Sequence, residues 1–326
     1  MARYLLDTRE TAAVADLADR FLAGCAGWDP LARADDIRAE SEHLPVGVRQ
    51  FLVAARAAER PVFSVAGLPL DEDLVPTPPN WPVAEKEGAA IREELVLLLV
   101  ASVVGDPFGW RGQQNGRLVH DVCPGRGQEA ALTSASSRLP LALHTEDVFH
   151  PCRGDYVALL CLRNPDQVGT TVAGLDTGRL PEETRRILHQ HRFRFFPDDS
   201  HAESPEYGGG PLPDAEARPH EVAPVLFGPP EDPYLRIDAD FSRPEPGDGR
   251  AGEALRECAQ LLAESARRIV LSPGELAFLD NYRVVHGRDR FTPRYDGTDR
   301  WLKRTSVARD LRRAYAHTGS RSRVLG

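Results

Sequence analysis

Two residues of metal-binding type, His144 and Glu146, stand two positions apart in Leu141-Ala-Leu-His-Thr-Glu-Asp147. In an extended strand residues i and i+2 point to the same face, so this imidazole and carboxylate can converge on one point. A third ligand must come from elsewhere. His286, in Asp280-Asn-Tyr-Arg-Val-Val-His286, is the best placed, because it ends a β-like run directly before Gly287, where the backbone can turn sharply. Two histidines and one carboxylate on one face of a metal leave three positions open, which suits non-haem iron(II) binding oxygen and a co-substrate. Alone, an HxE pair is a weak signal that arises by chance in many proteins. His43, His120, His189, His191, His201, His220 and His317 take the plainer reading of surface or hydrogen-bonded core histidines.

The segment after His286 raises the value of the triad. Arg300 follows within Tyr295-Asp-Gly-Thr-Asp-Arg-Trp-Leu-Lys-Arg304. A guanidinium on a strand beside the metal could grip the distal carboxylate of 2-oxoglutarate in a two-pronged salt bridge, while the other end of the keto acid chelates iron. Standing alone, it would read as a solvent-facing arginine in a basic stretch. Arg304 shares the strand face of Arg300 and could meet a second carboxylate, that of an amino-acid substrate.

The elements that must carry these groups are legible in outline. Residues 8–26 and 85–104 have helical patterning, the second ending at Gly105-Asp106-Pro107, with a short proline-bounded strand at 61–69 between them. After about residue 110, short β-rich segments separated by turn residues take over: Tyr156–Leu162, Arg192–Phe196 and Leu276–Leu279. A further helix spans 252–269. The pattern predicts an α+β fold with a double-stranded β-helix core (jelly-roll, cupin-like) and flanking helices. It is read as one domain, 1–326, in which a mainly helical 1–110 packs on a core of 111–326. The Pro-, Gly- and acid-rich stretch 197–233 reads either as a linker or, since strand-like sequence resumes after it, as a lid over the active site.

Composition excludes several classes. The formal net charge of −9 argues against a general nucleic-acid binder, which needs a basic face. The longest apolar run, Leu95–Val104, is too short to cross a bilayer, so no membrane partner is expected. Charges within the first ten residues make a poor signal peptide. Five scattered cysteines without a CxxC pair fit neither a disulfide framework nor a zinc knuckle. The cytoplasm is the expected location.

The segments HTEDVFHP (144–151), DYVALLCLR (155–163) and DNYRVVHGRDRFTPRYDGTDRWLKR (280–304) resemble the clavaminate synthase-like Fe(II)/2-oxoglutarate-dependent oxygenases, nearest the branch that hydroxylates arginine at Cβ. The likeness runs from about Gln113 to Arg309. It implies His144, Glu146 and His286 as iron ligands and Arg300 as the 2-oxoglutarate arginine. Thr171 is implied as the hydroxyl partner of Arg300, with Thr170 one residue away in an ambiguous alignment. Arg304 falls at the substrate-carboxylate arginine, Gln113 and Ser134 fall at substrate-backbone contacts, and Glu146 also touches substrate. Asp238 and Asp240, in Leu235-Arg-Ile-Asp-Ala-Asp-Phe241, match an acidic pair that clamps a guanidinium, expected on one strand face. Two such carboxylates in a closed pocket need a cation between them, and a guanidinium answers two carboxylates better than an ammonium. The plain alternative is two solvated loop aspartates.

The expected reaction is hydroxylation of Cβ or Cγ of a free cationic L-amino acid, with Fe(II), 2-oxoglutarate and O2 consumed and succinate and CO2 released. L-Arginine is the first choice; lysine, ornithine, asparagine or a cyclic arginine derivative stand behind it. Desaturation or cyclisation stays open. Halogenation is disfavoured, because Glu146 fills the site a halide would need. A zinc hydrolase using the same triad would have no use for Arg300. A jelly-roll binding protein without chemistry would not need the complete ligand set.

Overall fold

In the computed structural model, which describes residues 1–129, 136–201 and 214–326, the N-terminal third holds helices α1 (Thr8–Ala23), α2 (Ala34–Glu40), α3 (Val46–Ala57), α4 (Trp81–Glu87) and α5 (Ile91–Val104). Farther on come α6 (Glu182–Leu188), α7 (Gly249–Ser265) and α8 (Arg312–Thr318). Asp7 caps α1 through a reciprocal pair of bonds with Glu10, and Val14, Leu17 and Ala18 face inward. The 85–104 segment, expected as one helix, is two. Gly88 and Ala90 both adopt left-handed backbone conformations (φ 61° and 59°) that end α4 and restart the chain as α5. Helix α5 is apolar all round and is buried all round, from Leu95 to Ala101.

The strands of the first half are β1 (Ala2–Leu5), β2 (Val62–Ala66), β3 (Asp106–Trp110), β4 (His120–Val122), β5 (Leu141–His144), β6 (Tyr156–Arg163) and β7 (Thr170–Gly174). Next come β8 (Phe193–Phe195), β9 (Glu221–Ala223), β10 (Leu226–Phe227), β11 (Tyr234–Leu235) and β12 (Ser242–Pro244). The last are β13 (Arg267–Ile269), β14 (Leu276–Asp280), β15 (Val284–Arg288), β16 (Trp301–Ala308) and β17 (Val324–Leu325). Eight form a large sheet in the order β1-β2-β14-β6-β16-β3-β17, with β4 also paired to β16. A second sheet runs β13-β7-β15-β5, all antiparallel. Strands β8, β9 and β12 form a third, small sheet, and β10 pairs with β11.

Side-chain alternation sorts the core into layers. On β6, Tyr156, Ala158, Leu160 and Leu162 face the helices, in one cluster with Leu95–Ala101 of α5 and Phe278. The alternate residues Val157, Leu159 and Cys161 face the second sheet, in a cluster with Val172, Val284 and Leu302. Strand β6 is therefore apolar on both faces, as a covered central strand must be. Behind the second sheet, Ala173 and Val285 pack on Ile187 of α6 and on Ala254, Cys258 and Leu262 of α7.

In the mainly helical N-terminal part, β2 falls on the strand expected at 61–69, and β1 and β2 extend the large sheet through β14. Two expectations are corrected. The helix expected over 252–269 stops at Ser265, and Arg267–Ile269 pairs with β7 instead, because Ala266 turns extended (ψ 132°). The 197–233 stretch is not one irregular loop: it contains β9 and β10, while 202–213 lies outside the described residues. No helix among the described residues is long and apolar enough to cross a membrane.

Candidate metal centre and its cavity

Strand β15 lies between β7 and β5, and its antiparallel register sets His286 directly opposite His144. The two ring centroids are 4.3 Å apart. His144 Nδ1 is 2.9 Å from the Ala142 carbonyl, so Nδ1 carries the proton that it donates there and Nε2 is left as the free ligand atom. Glu146 does not continue the strand. β5 ends at His144, and the next residues are led away by Thr145 N donating to Ile237 O at 2.8 Å. Asn281 then holds the Glu146 backbone from both sides, accepting from its N–H at 2.8 Å and donating to its carbonyl at 3.0 Å. The carboxylate thus reaches the histidines from a tethered turn.

One ligand atom from each of His144, Glu146 and His286 lies within 4.8 Å of the others. Glu146 Oε2 stands 3.4 Å from His144 Nε2 and 3.2 Å from His286 Nε2. It is buried and has no well-directed hydrogen bond among the described residues. Three donor atoms aimed at one point, one of them an orphaned buried oxygen, fit a metal ion, and two imidazoles with one carboxylate match an iron site open to oxygen. Burial works against the charge on Glu146, but Arg304 and both imidazoles hold its carboxyl well below the usual range.

Gly287 matters here for close approach. It lies inside β15, and a Cβ on it would stand 2.4 Å from the Leu141 carbonyl of β5. The sharp turn expected at this glycine is absent; what the position needs is the missing side chain. Gly287→Ala is expected to push β5 and His144 away from His286 and weaken Fe(II) binding about tenfold, measurable by anaerobic titration of the metal.

The triad opens into a cleft lined by both polar and apolar side chains. Arg300, Leu302 and Arg304 line it from every second position of β16 and its approach. Arg300 is 6% exposed; its Nε has no partner among the described residues, and Nη2 reaches only Thr170 Oγ1 at 3.5 Å. Burial pushes its guanidinium down to about 10. Arg288, two residues beyond His286 on the same face, lines the cleft as well and is itself bound to Ser136 and Leu139. Thr171, expected beside Arg300, points the other way: it pairs across β15 with Gly287, and its hydroxyl is 3.4 Å from Asp289. Thr170, opposite Arg288, is the hydroxyl in the cleft.

On the other flank, one step beyond β5, Asp238 bridges to His144. Asp238 and Asp240 both line the cleft, though from a turn and not a strand face. Asp238 Oδ1 accepts from the N–H groups of Asp240 (2.7 Å) and Phe241 (2.9 Å). Burial raises its carboxyl to about 6. Asp198, unnoticed in the sequence, is a third carboxylate lining the same cleft. None of the three pairs with a lysine or arginine among the described residues. Gln113 is buried, donating to Ser200 Oγ at 2.7 Å and standing 3.0 Å from His201 Nε2. His201 in turn meets Asp147 at 2.9 Å. Arg304 donates to Glu146 Oε1 and, at 3.3 Å, to Gln113 Oε1. Ser134 lies outside the described residues.

Fold and site together define a non-haem iron dioxygenase. The family model for the taurine catabolism dioxygenases (TauD, TfdA family) matches residues 97–306, and the chain belongs to that family. It is 39% identical over 305 residues to the enduracididine beta-hydroxylase of Streptomyces hygroscopicus, covering 88% of this chain and 89% of that one. It is 37% identical to the L-ornithine/L-arginine 3-hydroxylase of Catenulispora acidiphila, over 96% of each chain. Among solved structures, the non-haem iron oxygenase OrfP bound to Fe, succinate and (3S)-hydroxy-L-Arg superposes with a TM-score of 0.90 at 36% identity over both full chains.

Proposed function

We propose that this enzyme hydroxylates Cβ or Cγ of free L-arginine, using Fe(II), 2-oxoglutarate and O2 and releasing succinate and CO2. One observation carries the reading. The cleft holds the His144–Glu146–His286 triad between a buried arginine with no carboxylate within salt-bridge distance and three carboxylates with no lysine or arginine within that distance among the described residues. Such a cleft is complementary to a dicarboxylate on one flank and a cation on the other.

With iron and 2-oxoglutarate bound, the metal centre supplies the oxygen chemistry, one oxygen atom going to succinate and the other to the substrate carbon. The chain's own groups bind and orient. Arg300 and Thr170 take the distal carboxylate of the keto acid. Arg304 takes the α-carboxylate of the amino acid, with Gln113 near its backbone. Asp238, Asp240 and Asp198 take the guanidinium. Leu141, Leu159, Leu302 and Phe241 line the cleft with apolar surface that excludes water.

The facing sheets with the ligands between them support a double-stranded β-helix core within a single domain. A cytoplasmic location is part of the same reading. A cyclic guanidine amino acid is the second substrate candidate, favoured by the likeness to an enduracididine hydroxylase. Incubation of Fe(II)-loaded enzyme with 2-oxoglutarate and L-arginine is expected to yield succinate in step with a product one oxygen heavier by mass spectrometry. Neither appearing would overturn the proposal.

A further inference from the structure

We infer that His120 is a positioning residue for the reaction: its imidazole accepts a hydrogen bond from Arg304 and so aims that guanidinium at the substrate's carboxylate. The inference rests on the reading of Arg304 as the group that holds this carboxylate.

Strand β4 is three residues long and pairs with β16 so that Val122, Asp121 and His120 stand opposite Leu302, Lys303 and Arg304. Alternation sends the middle pair to the helical side. There Asp121 meets Lys303 at 2.7 Å and accepts from Trp301 Nε1 at 2.8 Å, while Lys303 also reaches Glu94 of α5 at 2.9 Å. That buried network locks β4 to β16. The outer pairs face the cleft, where Val122, Leu302 and Arg304 line the wall and His120 stands behind Arg304. Arg304 Nη2 is 3.0 Å from His120 Nδ1.

A guanidinium only donates, so Nδ1 must offer a lone pair and the imidazole proton must sit on Nε2. That Nε2 is buried and has no well-directed hydrogen bond among the described residues, the backbone of Arg117 being the ring's other polar neighbour. The ring's well-directed hydrogen bond is the one it accepts at Nδ1. Burial, with the charges of Arg304 and Arg117, keeps the ring neutral and able to accept.

Without His120, Arg304 Nη2 would have only the 3.3 Å bond to Gln113 Oε1. The fork would then be free to swing onto Glu146, to which Nη1 already donates.

The test uses the iron-loaded enzyme with 2-oxoglutarate and L-arginine. His120→Leu removes the acceptor, and His120→Asn returns an oxygen where Nδ1 stood. The leucine variant is expected to raise KM for arginine about tenfold to a hundredfold, as loss of a charge-assisted bond implies. It should release more succinate per hydroxylated product, with KM for 2-oxoglutarate within about twofold of wild type. The asparagine variant is expected to restore KM for arginine to within about fivefold. A leucine variant with wild-type KM, or an asparagine variant equally impaired, overturns the inference. Should the leucine variant not fold, the asparagine variant decides: near-wild-type KM supports the inference and a rise above about tenfold overturns it. L-Argininamide tests the underlying reading separately. If wild type turns it over as well as arginine, Arg304 does not hold the carboxylate; if the amide is poor and His120→Leu behaves as wild type, only the role of His120 falls.

Discussion

Arg300→Leu is expected to raise KM for 2-oxoglutarate by roughly 10²- to 4 × 10³-fold while leaving the apoprotein at least as stable as wild type. The two halves come from one fact. Arg300 is buried, its Nε has no partner among the described residues, and its best contact is a 3.5 Å approach to Thr170. A buried charge without a counter-ion costs folding free energy, and the sign of its shift agrees: burial lowers the folded-state value to about 10 from 12.5, so the charged form at neutral pH opposes folding. Leucine removes that cost. In the ternary complex the same guanidinium is the counter-ion of a buried carboxylate, and deleting one partner of such a pair costs about 3–5 kcal/mol, which is the stated change in KM at about 1.4 kcal/mol per tenfold. Arg300→Lys keeps the charge but loses the two-pronged geometry and is expected to fall between. Succinate formation against 2-oxoglutarate concentration measures KM, and thermal melts with and without 2-oxoglutarate measure the stability half. A stabilising effect of 2-oxoglutarate that survives in Arg300→Leu would sink the assignment.

What was legible in the sequence was what depends on local period and on long motifs. His144 could be named from its two-residue spacing to Glu146 and His286 from its place at the end of a β-like run, and the register of β15 on β5 sets them face to face. Arg300 and Arg304 could be paired because every second residue of a strand shares a face, and both line the cleft. Four features were hidden, each for a physical reason. Glu146 reaches the metal site from a turn tethered by Asn281, a contact 135 residues away in the chain. The choice between Thr170 and Thr171 turns on the phase of β7, which is set by pairing with β15 and not by β7 itself. Asp198 enters from a stretch that reads as loop, where no period marks which carboxylate faces inward. His120 reads as an ordinary core histidine, and only its cross-strand place opposite Arg304 gives it a role. The split between α4 and α5 was equally unmarked, because Ala90 adopts a left-handed conformation that its side chain does not favour.

Asp238→Asn combined with Asp240→Asn is expected to lower kcat/KM for L-arginine roughly 10²- to 10⁴-fold while 2-oxoglutarate is still consumed without product. Asparagine separates charge from architecture better than alanine does. Asp238 Oδ1 closes the turn by accepting from Asp240 N and Phe241 N, and an amide oxygen can do the same. The double variant should therefore keep the backbone that bridges His144 and change only the charge facing the cleft. In wild type that charge is held at a cost, since burial raises Asp238 to about 6, and a bound guanidinium would repay it. Removing the partner of a buried, hydrogen-bonded cation costs 2–5 kcal/mol or more, which sets the range. Asp198 remains in the variant, so some cation preference should persist, and Asp198→Asn on top of the pair should lower it further. L-Citrulline gives the sharper reading, because it has the shape of arginine with a neutral ureido end. Charge complementarity predicts that the arginine-to-citrulline preference shrinks by at least tenfold in the double variant, through loss on arginine and not gain on citrulline. Arginine kcat/KM within threefold of wild type would mean that the carboxylates do not meet the substrate, and that the cationic end lies elsewhere in the cleft.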